Sequence, residues 1–190
     1  MTTSLADLSV ASLVNALAAK EPVPGGGAAA GAVAAIGVGL ARMVLAYSID
    51  KKSLAKHTKA NRDDDAALAQ LATRALALAD EDAVAYATLN ALWKLPEGDA
   101  ERDAGWDAAV DNAIDAPMQT MDLCTDAVNR CEAMADRTNT MLHSDLNGAI
   151  HLLVSAMHVA AENVRVNLPL VRNETRRAEI EQKVSDTSSE

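Results

Sequence analysis

An aspartate set in the middle of an apolar helical face is the residue of this chain best placed to do chemistry. Taking Leu68 as origin and about 100° per residue, Leu71, Ala75, Leu78, Tyr86, Leu89 and Trp93 fall on one side of a helix predicted over residues 61–93, and Asp82 falls among them. Its neighbours Asp80 and Glu81 fall on other sides, where solvent is the simplest explanation. An inward carboxylate is costly unless it is paired, hydrogen-bonded or protonated, and desolvation raises its pKa toward the range useful for proton transfer. Asp82 is therefore a candidate general acid/base. The same placement would also serve a structural hydrogen bond or ion pair to a neighbouring helix, and periodicity alone does not choose between them.

The second feature is Pro24-Gly25-Gly26-Gly27, followed by an uncharged run of small and aliphatic residues as far as Ala41. Consecutive glycines cost backbone entropy on folding, so a folded chain keeps them where main chain must approach another group closely or adopt positive φ. Their position before a helix leaves free N–H groups that can face an acceptor or an anion. An ordinary glycine-rich loop between helices is the plainer alternative.

Other chemistries find little support. No Glu-x-x-His, His-Glu-x-x-His or Cys-x-x-Cys pattern occurs, so no metal is expected, and nucleophile-elbow, Walker and dinucleotide-binding motifs are absent. His151, His158 and Glu162 lie opposite the stripe formed by Leu146, Ile150, Leu153, Met157, Ala160 and Val164, on a surface or subunit face. Ser144-Asp145 reads first as the start of a helix, with Ser144 capping and Asp145 in the first turn. Cys124 and Cys131 are two turns apart, ~10 Å by helix rise, too far for a disulfide within one helix, and read as core thiols.

The elements that must position these groups are helical. The chain has 190 residues, 49% apolar, with no Phe, 2 Trp and 2 Tyr, so its core rests on Ala, Leu, Val, Ile and Met, which suits close helix packing. A single-domain, all-α bundle of about five long antiparallel helices is expected. The periodicity predicts helices from residue 5 to 20, with Val10, Leu13, Val14 and Leu17 inward, and from the glycines to Tyr47. Further helices are predicted at 61–93, at 100–135 with a bend at Pro117, and at 144–167. Residues 1–172 form the domain, and 173–190 read as a short charged helix with a frayed tail from Ser185. A net charge of −10 argues against a general nucleic-acid or anionic-membrane surface. The start of the chain lacks a basic segment leading into an apolar block, so a cytoplasmic protein is expected, and the short apolar run after the glycines reads as a buried helix rather than a membrane span.

Taken in order, the motifs spell a family. Pro-Val-Pro-Gly-Gly-Gly with an Ala-rich helix ending in Arg-Met-Val, Asp82-Ala-Val-Ala-Tyr86, Lys94-Leu95-Pro96, Ser144-Asp145 and Asn163-Val-Arg-Val-Asn167-Leu resemble the cyclodeaminase domain of formiminotransferase-cyclodeaminase and the stand-alone methenyltetrahydrofolate cyclohydrolases similar to it. The resemblance covers roughly residues 8 to 170. It implies a helical bundle, usually dimeric, that acts on one-carbon adducts of tetrahydrofolate with no permanently bound cofactor and no metal. It also implies that Asp82 is the acid/base, and that Gly25, Gly26 and Gly27 lie against the folate. Lys51 and Lys52 would sit near its glutamate carboxylates, with Tyr86, Asp145, Asn163 and Asn167 as orienting hydrogen-bond groups. Departures from the family pattern are Asp50 before the lysines, Glu97-Gly98-Asp99 after Leu95-Pro96, and Thr138-Asn139 before Ser144. The resemblance leaves cyclohydrolase and cyclodeaminase both open. A bundle that kept this fold as a non-catalytic assembly module is the competing class, but it gives no reason for an inward Asp82 close to the lysines and a triple glycine.

Overall fold

Small side chains set the spacing of this bundle. A computed structural model describes residues 4–187 and contains, among them, six α-helices and no strand. These are α1 (Val10–Ala18), α2 (Gly26–Ile49), α3 (Thr58–Trp93), α4 (Ala100–Met134), α5 (His143–Asn167) and α6 (Glu174–Thr187). Short links reverse the chain between α2, α3, α4 and α5, and these four form an antiparallel ring in which α2 packs on α3 and α5 while α4 closes the other side. Gly98, at φ +82°, makes the turn into α4, where Asp99 accepts hydrogen bonds from the Glu101 and Arg102 N–H groups.

α2 is the helix the others are built around. It is long and apolar enough to cross a membrane by length and composition, yet Ala30, Ala34, Val38, Ala41, Val44 and Leu45 are buried within the bundle. Glycine lets its neighbours come close. A Cβ added at Gly31 would stand 2.7 Å from the Ala75 carbonyl oxygen and 3.0 Å from Ala79 Cβ on α3, and one at Gly37 would stand 3.0 Å from Leu153 on α5. Cys124 and Cys131 are free core thiols, with burial pushing both up to about 12.

α4 runs through Pro117 as a single helix. Proline has no N–H to return to the carbonyl four residues earlier, which is that of Ala113. Asn167 at the end of α5 supplies the replacement, donating from Nδ2 to Ala113 O at 3.2 Å and to Asn163 O at 3.1 Å.

Several expectations change. The first helix is shorter than predicted and is preceded by a 3₁₀ turn at Leu5–Asp7. Its apolar stripe is only partly covered by the chain: Leu13 and Leu17 are half-buried, but Val10 and Val14 are 74% and 57% exposed, because α1 lies outside the ring. The long antiparallel helices thus number four rather than five. Asp80 does not point to solvent but accepts from Ser4 Oγ at 2.5 Å and Leu5 N–H at 2.7 Å, which ties down this N-terminal turn, and Glu81 pairs with Arg74. Ser144 does not cap α5, which begins at His143, and the cap just before it is Asn139, accepting from Met141 N–H. The C-terminal helix is held to the bundle by buried Ile180 and Val184 and continues through Ser185 to Thr187, with residues 188–190 outside those described.

The tight crossing at Gly31 yields a stability test. Gly31→Ala must push α2 away from the α3 backbone and should lower the unfolding free energy by about 1–3 kcal/mol. Gly148→Ala, whose Cβ would meet only Leu40 at an ordinary 3.5 Å, should hold or raise it through helix propensity. Urea unfolding of both variants distinguishes this crossing from a generic glycine effect; equal changes would refute it.

Candidate active site

The N-terminus of α2 ends within the bundle, while α3, α4 and α5 carry on past it. The space left over is a cavity of about 360 Å³, roofed by the segment from Pro22 to Gly26. Its size falls within the range of small-molecule sites. α3 contributes Asp82, Tyr86 and Trp93, α4 contributes Ala113, and α5 contributes Asn163, Val166 and Asn167.

Asp82 sits where α2 begins. A Cβ on Gly27 would fall 2.0 Å from Asp82 Oδ1, so only glycine lets the carboxylate reach this depth. There the Ala28 N–H, one of the unpaired donors of the first helical turn, gives Asp82 a backbone hydrogen bond. Burial raises the carboxyl and this hydrogen bond lowers it, leaving a value of about 6. Asp82 therefore caps α2 from another helix and still exchanges a proton near neutral pH. Gly25 and Gly26 line the cavity, while Gly27 is buried against Asp82.

The two asparagines present acceptors. Asn167 uses Nδ2 for Ala113 and Asn163 carbonyls, and Asn163 uses Nδ2 for Val159 O at 2.8 Å, which leaves their Oδ1 atoms for a guest. A Cβ on Gly26 would lie 2.9 Å from Asn163 Nδ2, so a side chain here would displace the Asn163 amide. Among the described residues, no basic side chain lines the cavity. It is a site with a carboxylate, two amide oxygens and an otherwise apolar and aromatic wall. Such a lining favours a flat, donor-rich or positively charged guest.

Of the residues expected at the site, Gly25, Gly26, Gly27, Asp82, Tyr86, Asn163 and Asn167 come together here. Lys51, Lys52 and Asp145 do not. The lysines follow the other end of α2, whose 24 residues span ~36 Å, and Asp145 lies in the first turn of α5, at that same far end. Lys51 Nζ there donates to Asn139 Oδ1 at 2.6 Å, and the neighbouring His143 Nε2 is buried without a partner. Helical periodicity places a residue around an axis but not along it relative to other helices, so this separation was not readable from sequence. A larger groove of about 440 Å³ lies on the other side of α3, but its carboxylates are engaged: Asp80 by Ser4 and Leu5, Glu81 by Arg74, and Asp115 by Arg176.

The formiminotransferase-cyclodeaminase family profile matches residues 9–186. The chain belongs to this family. Over 166 residues it is 26% identical to a methenyltetrahydrofolate cyclohydrolase of Methylorubrum extorquens, covering 84% of this chain and 78% of that protein. It is 30% identical over 173 residues to a formimidoyltransferase-cyclodeaminase of Rattus norvegicus, covering 87% of this chain but 31% of that longer protein. The fold is similar to the crystal structure of formiminotetrahydrofolate cyclodeaminase from Thermotoga maritima, with a TM-score of 0.89 at 25% identity over 97% of this chain and 90% of that one. Family members thus include both stand-alone and fused proteins, and the motifs quoted from the sequence span the matched region.

The raised carboxyl makes stability pH-dependent. Asp82 holds its proton in the folded state up to about 6 but in the unfolded chain only to 3.8, so between those values folding takes up a proton and stability falls as pH rises. Above pH 6 the cost of the buried charge is complete, at about 2–3 kcal/mol. Asp82→Asn should accordingly be more stable than the parent at pH 8, with the gap closing toward pH 4. Urea titrations at the two pH values check this, and parallel curves at both would refute the burial of a charge.

Proposed function

We propose that the chain is a folate one-carbon enzyme acting at the carbon that joins, or comes to join, N5 and N10 of tetrahydrofolate, with Asp82 as general acid/base. The observation that carries this reading is a single proton-exchanging carboxylate in a cavity that lacks any basic side chain and offers acceptors beside it. Both candidate substrates bring a positive amidine-type carbon. In the hydrolytic direction Asp82 takes a proton from water as its oxygen bonds to the methenyl carbon, and returns it to N5 as the carbon–N5 bond breaks; the hydroxyl on that carbon releases its own proton to solvent as the carbonyl forms, giving the 10-formyl compound. In the deaminating direction N10 bonds to the formimino carbon, Asp82 takes the N10 proton, and it protonates the departing ammonia. In either case the carboxylate also balances the cationic carbon, and the adjacent cation holds the carboxyl in its ionised form until the proton is needed. Asn163 and Asn167 accept from the pterin ring.

The working unit in this reading is a homodimer through α2. From Gly26 to Ala41 that helix carries no charge, and its outer side remains open, with Ile36 56% and Tyr47 65% exposed. Two copies stacked antiparallel on this face about a two-fold axis would bring Lys51 and Lys52 of one to the cavity mouth of the other. Local positive charge at the mouth is what a polyanionic glutamate tail requires in a chain of net charge −10.

The primary test is loss of methenyltetrahydrofolate absorbance, run beside formiminotetrahydrofolate turnover. Asp82→Asn should lower turnover by ~10²- to 10⁴-fold with the fold intact. Glu81→Gln, on another face of α3, should stay near the parent. An Asp82→Asn protein with parental turnover would remove Asp82 from the chemistry.

The dimer has its own test. Lys51→Ala with Lys52→Ala should weaken binding of polyglutamylated substrate more than of monoglutamate, and more at low salt. Refolding this variant together with Asp82→Asn should restore about a quarter of parental activity at low polyglutamate concentration. Half of random dimers are mixed, and each mixed dimer holds one intact site. No restoration, or an active monomer by light scattering, would rule out the shared site.

A further inference from the structure

Trp93 has no part in the chemistry proposed above, yet it is held with care. It is the last residue of α3, lines the cavity, and is 48% exposed. Its ring meets that of Trp106 edge to face, at 6.0 Å between centroids and 83° between planes. Trp106 in turn is buried and fixed. The Arg102 guanidinium lies 5.0 Å and that of Arg172 6.0 Å from its centroid, and its Nε1 donates to Leu170 O at 3.5 Å. Arg102 also donates to the Leu95 carbonyl, which pins the turn immediately after Trp93. A half-exposed indole with this much support behind it is preorganised to receive something from the cavity side.

We infer that Trp93 is a specificity-determining residue of the Asp82 cavity, a stacking wall for the p-aminobenzoyl ring of the folate. The inference rests on the folate reading and deepens it. Asp82 and Trp93 share one face of α3 eleven residues apart, ~16 Å along the axis. Tyr86 stands between them on the same wall. The cavity is therefore polar at the Asp82 end, where Asn163 and Asn167 offer acceptors, and aromatic at the other. A ligand whose reacting carbon sits at Asp82 must divide its two rings accordingly. The pterin carries the hydrogen-bond donors and matches the asparagine end. The p-aminobenzoyl ring, attached at N10, has a π-face and no donor to satisfy, and matches the indole. Base–aromatic stacking of this kind is sequence-tolerant elsewhere because it reads only the π-face, and here it would read the presence of the second ring.

Binding of 5-formyltetrahydrofolate, measured by calorimetry, provides the test, with 5-formyl-6-methyltetrahydropterin as a fragment that lacks the aminobenzoylglutamate and whose inhibition constant is read in the absorbance assay. Trp93→Leu keeps apolar bulk and removes the π-face. It should weaken the full ligand about tenfold, raise KM more than it lowers kcat, and leave the fragment's inhibition constant where it is in the parent. Trp93→Phe should recover most of the loss. Equal weakening of ligand and fragment, or a Trp93→Leu protein that binds the full ligand as the parent does, would overturn the stacking wall while leaving the folate reading in place. A parent protein that neither binds nor turns over any folate adduct would overturn both. Circular dichroism and thermal melts of the two variants separate these outcomes from misfolding, which a half-exposed residue at a helix end should not provoke.

Discussion

The docking of the Asp82 carboxylate onto the first turn of α2 is the contact on which the rest of the arrangement depends. A helix that begins inside a protein leaves N–H groups unpaired, and an apolar helix such as α2 has no side chain of its own to cap them. Asp82 comes from α3 to meet the Ala28 N–H, and it can do so only because residue 27 has no Cβ. The contact lies beside the cavity that Gly25, Gly26 and Asp82 line. Capping and the proposed chemistry would share one carboxylate. One backbone hydrogen bond is too little to offset its desolvation fully, which leaves the proton exchangeable near neutral pH.

A second constraint works from α4. Pro117 leaves the Ala113 carbonyl without its usual helical partner, and Asn167 fills that vacancy from α5. Both of its Nδ2 hydrogens are then committed to main chain, so the amide can turn only its oxygen to a ligand. A proline buried in the middle of a helix thus fixes the polarity of a side chain at the cavity. The far end of the bundle is organised by a different network, in which Asp64 joins Arg130 and Arg137, and Arg137 joins Asn61. That network ties α3 to α4 where the lysines lie and touches nothing in the cavity.

Charge is distributed so that the two ends of one helix have opposite characters. The chain is acidic overall, and the cavity at the start of α2 holds a carboxylate and no base, whereas Lys51 and Lys52 follow its end. A cationic reacting centre suits the first place and a polyanionic tail the second. In a single chain the two lie a helix length apart, and the uncharged open side of α2 between them is the surface across which a second copy would join them.

Composition and periodicity determined the helical class, the limits of α3, α4 and α5 to within a few residues, the inward turn of Asp82, and the outward turn of His151, His158 and Glu162. These are local properties, because 3.6-residue periodicity and breakers such as Pro96 act within a few turns. The order of the motifs also carried the family. Only the tertiary structure decided which motifs share a site. Sequence spacing says nothing about which end of an antiparallel bundle two distant residues occupy, so Lys51, Lys52 and Asp145 read as companions of Asp82 until the direction of α2 and α5 was known. Nor did it disclose that Gly27 faces a side chain rather than a ligand, or that Val10 and Val14 on α1 remain uncovered. The pairing of Asn167 with the carbonyl that Pro117 sets free was equally hidden. Each of these depends on how close two elements approach, and that distance is settled by packing across the whole bundle rather than by any one segment of it.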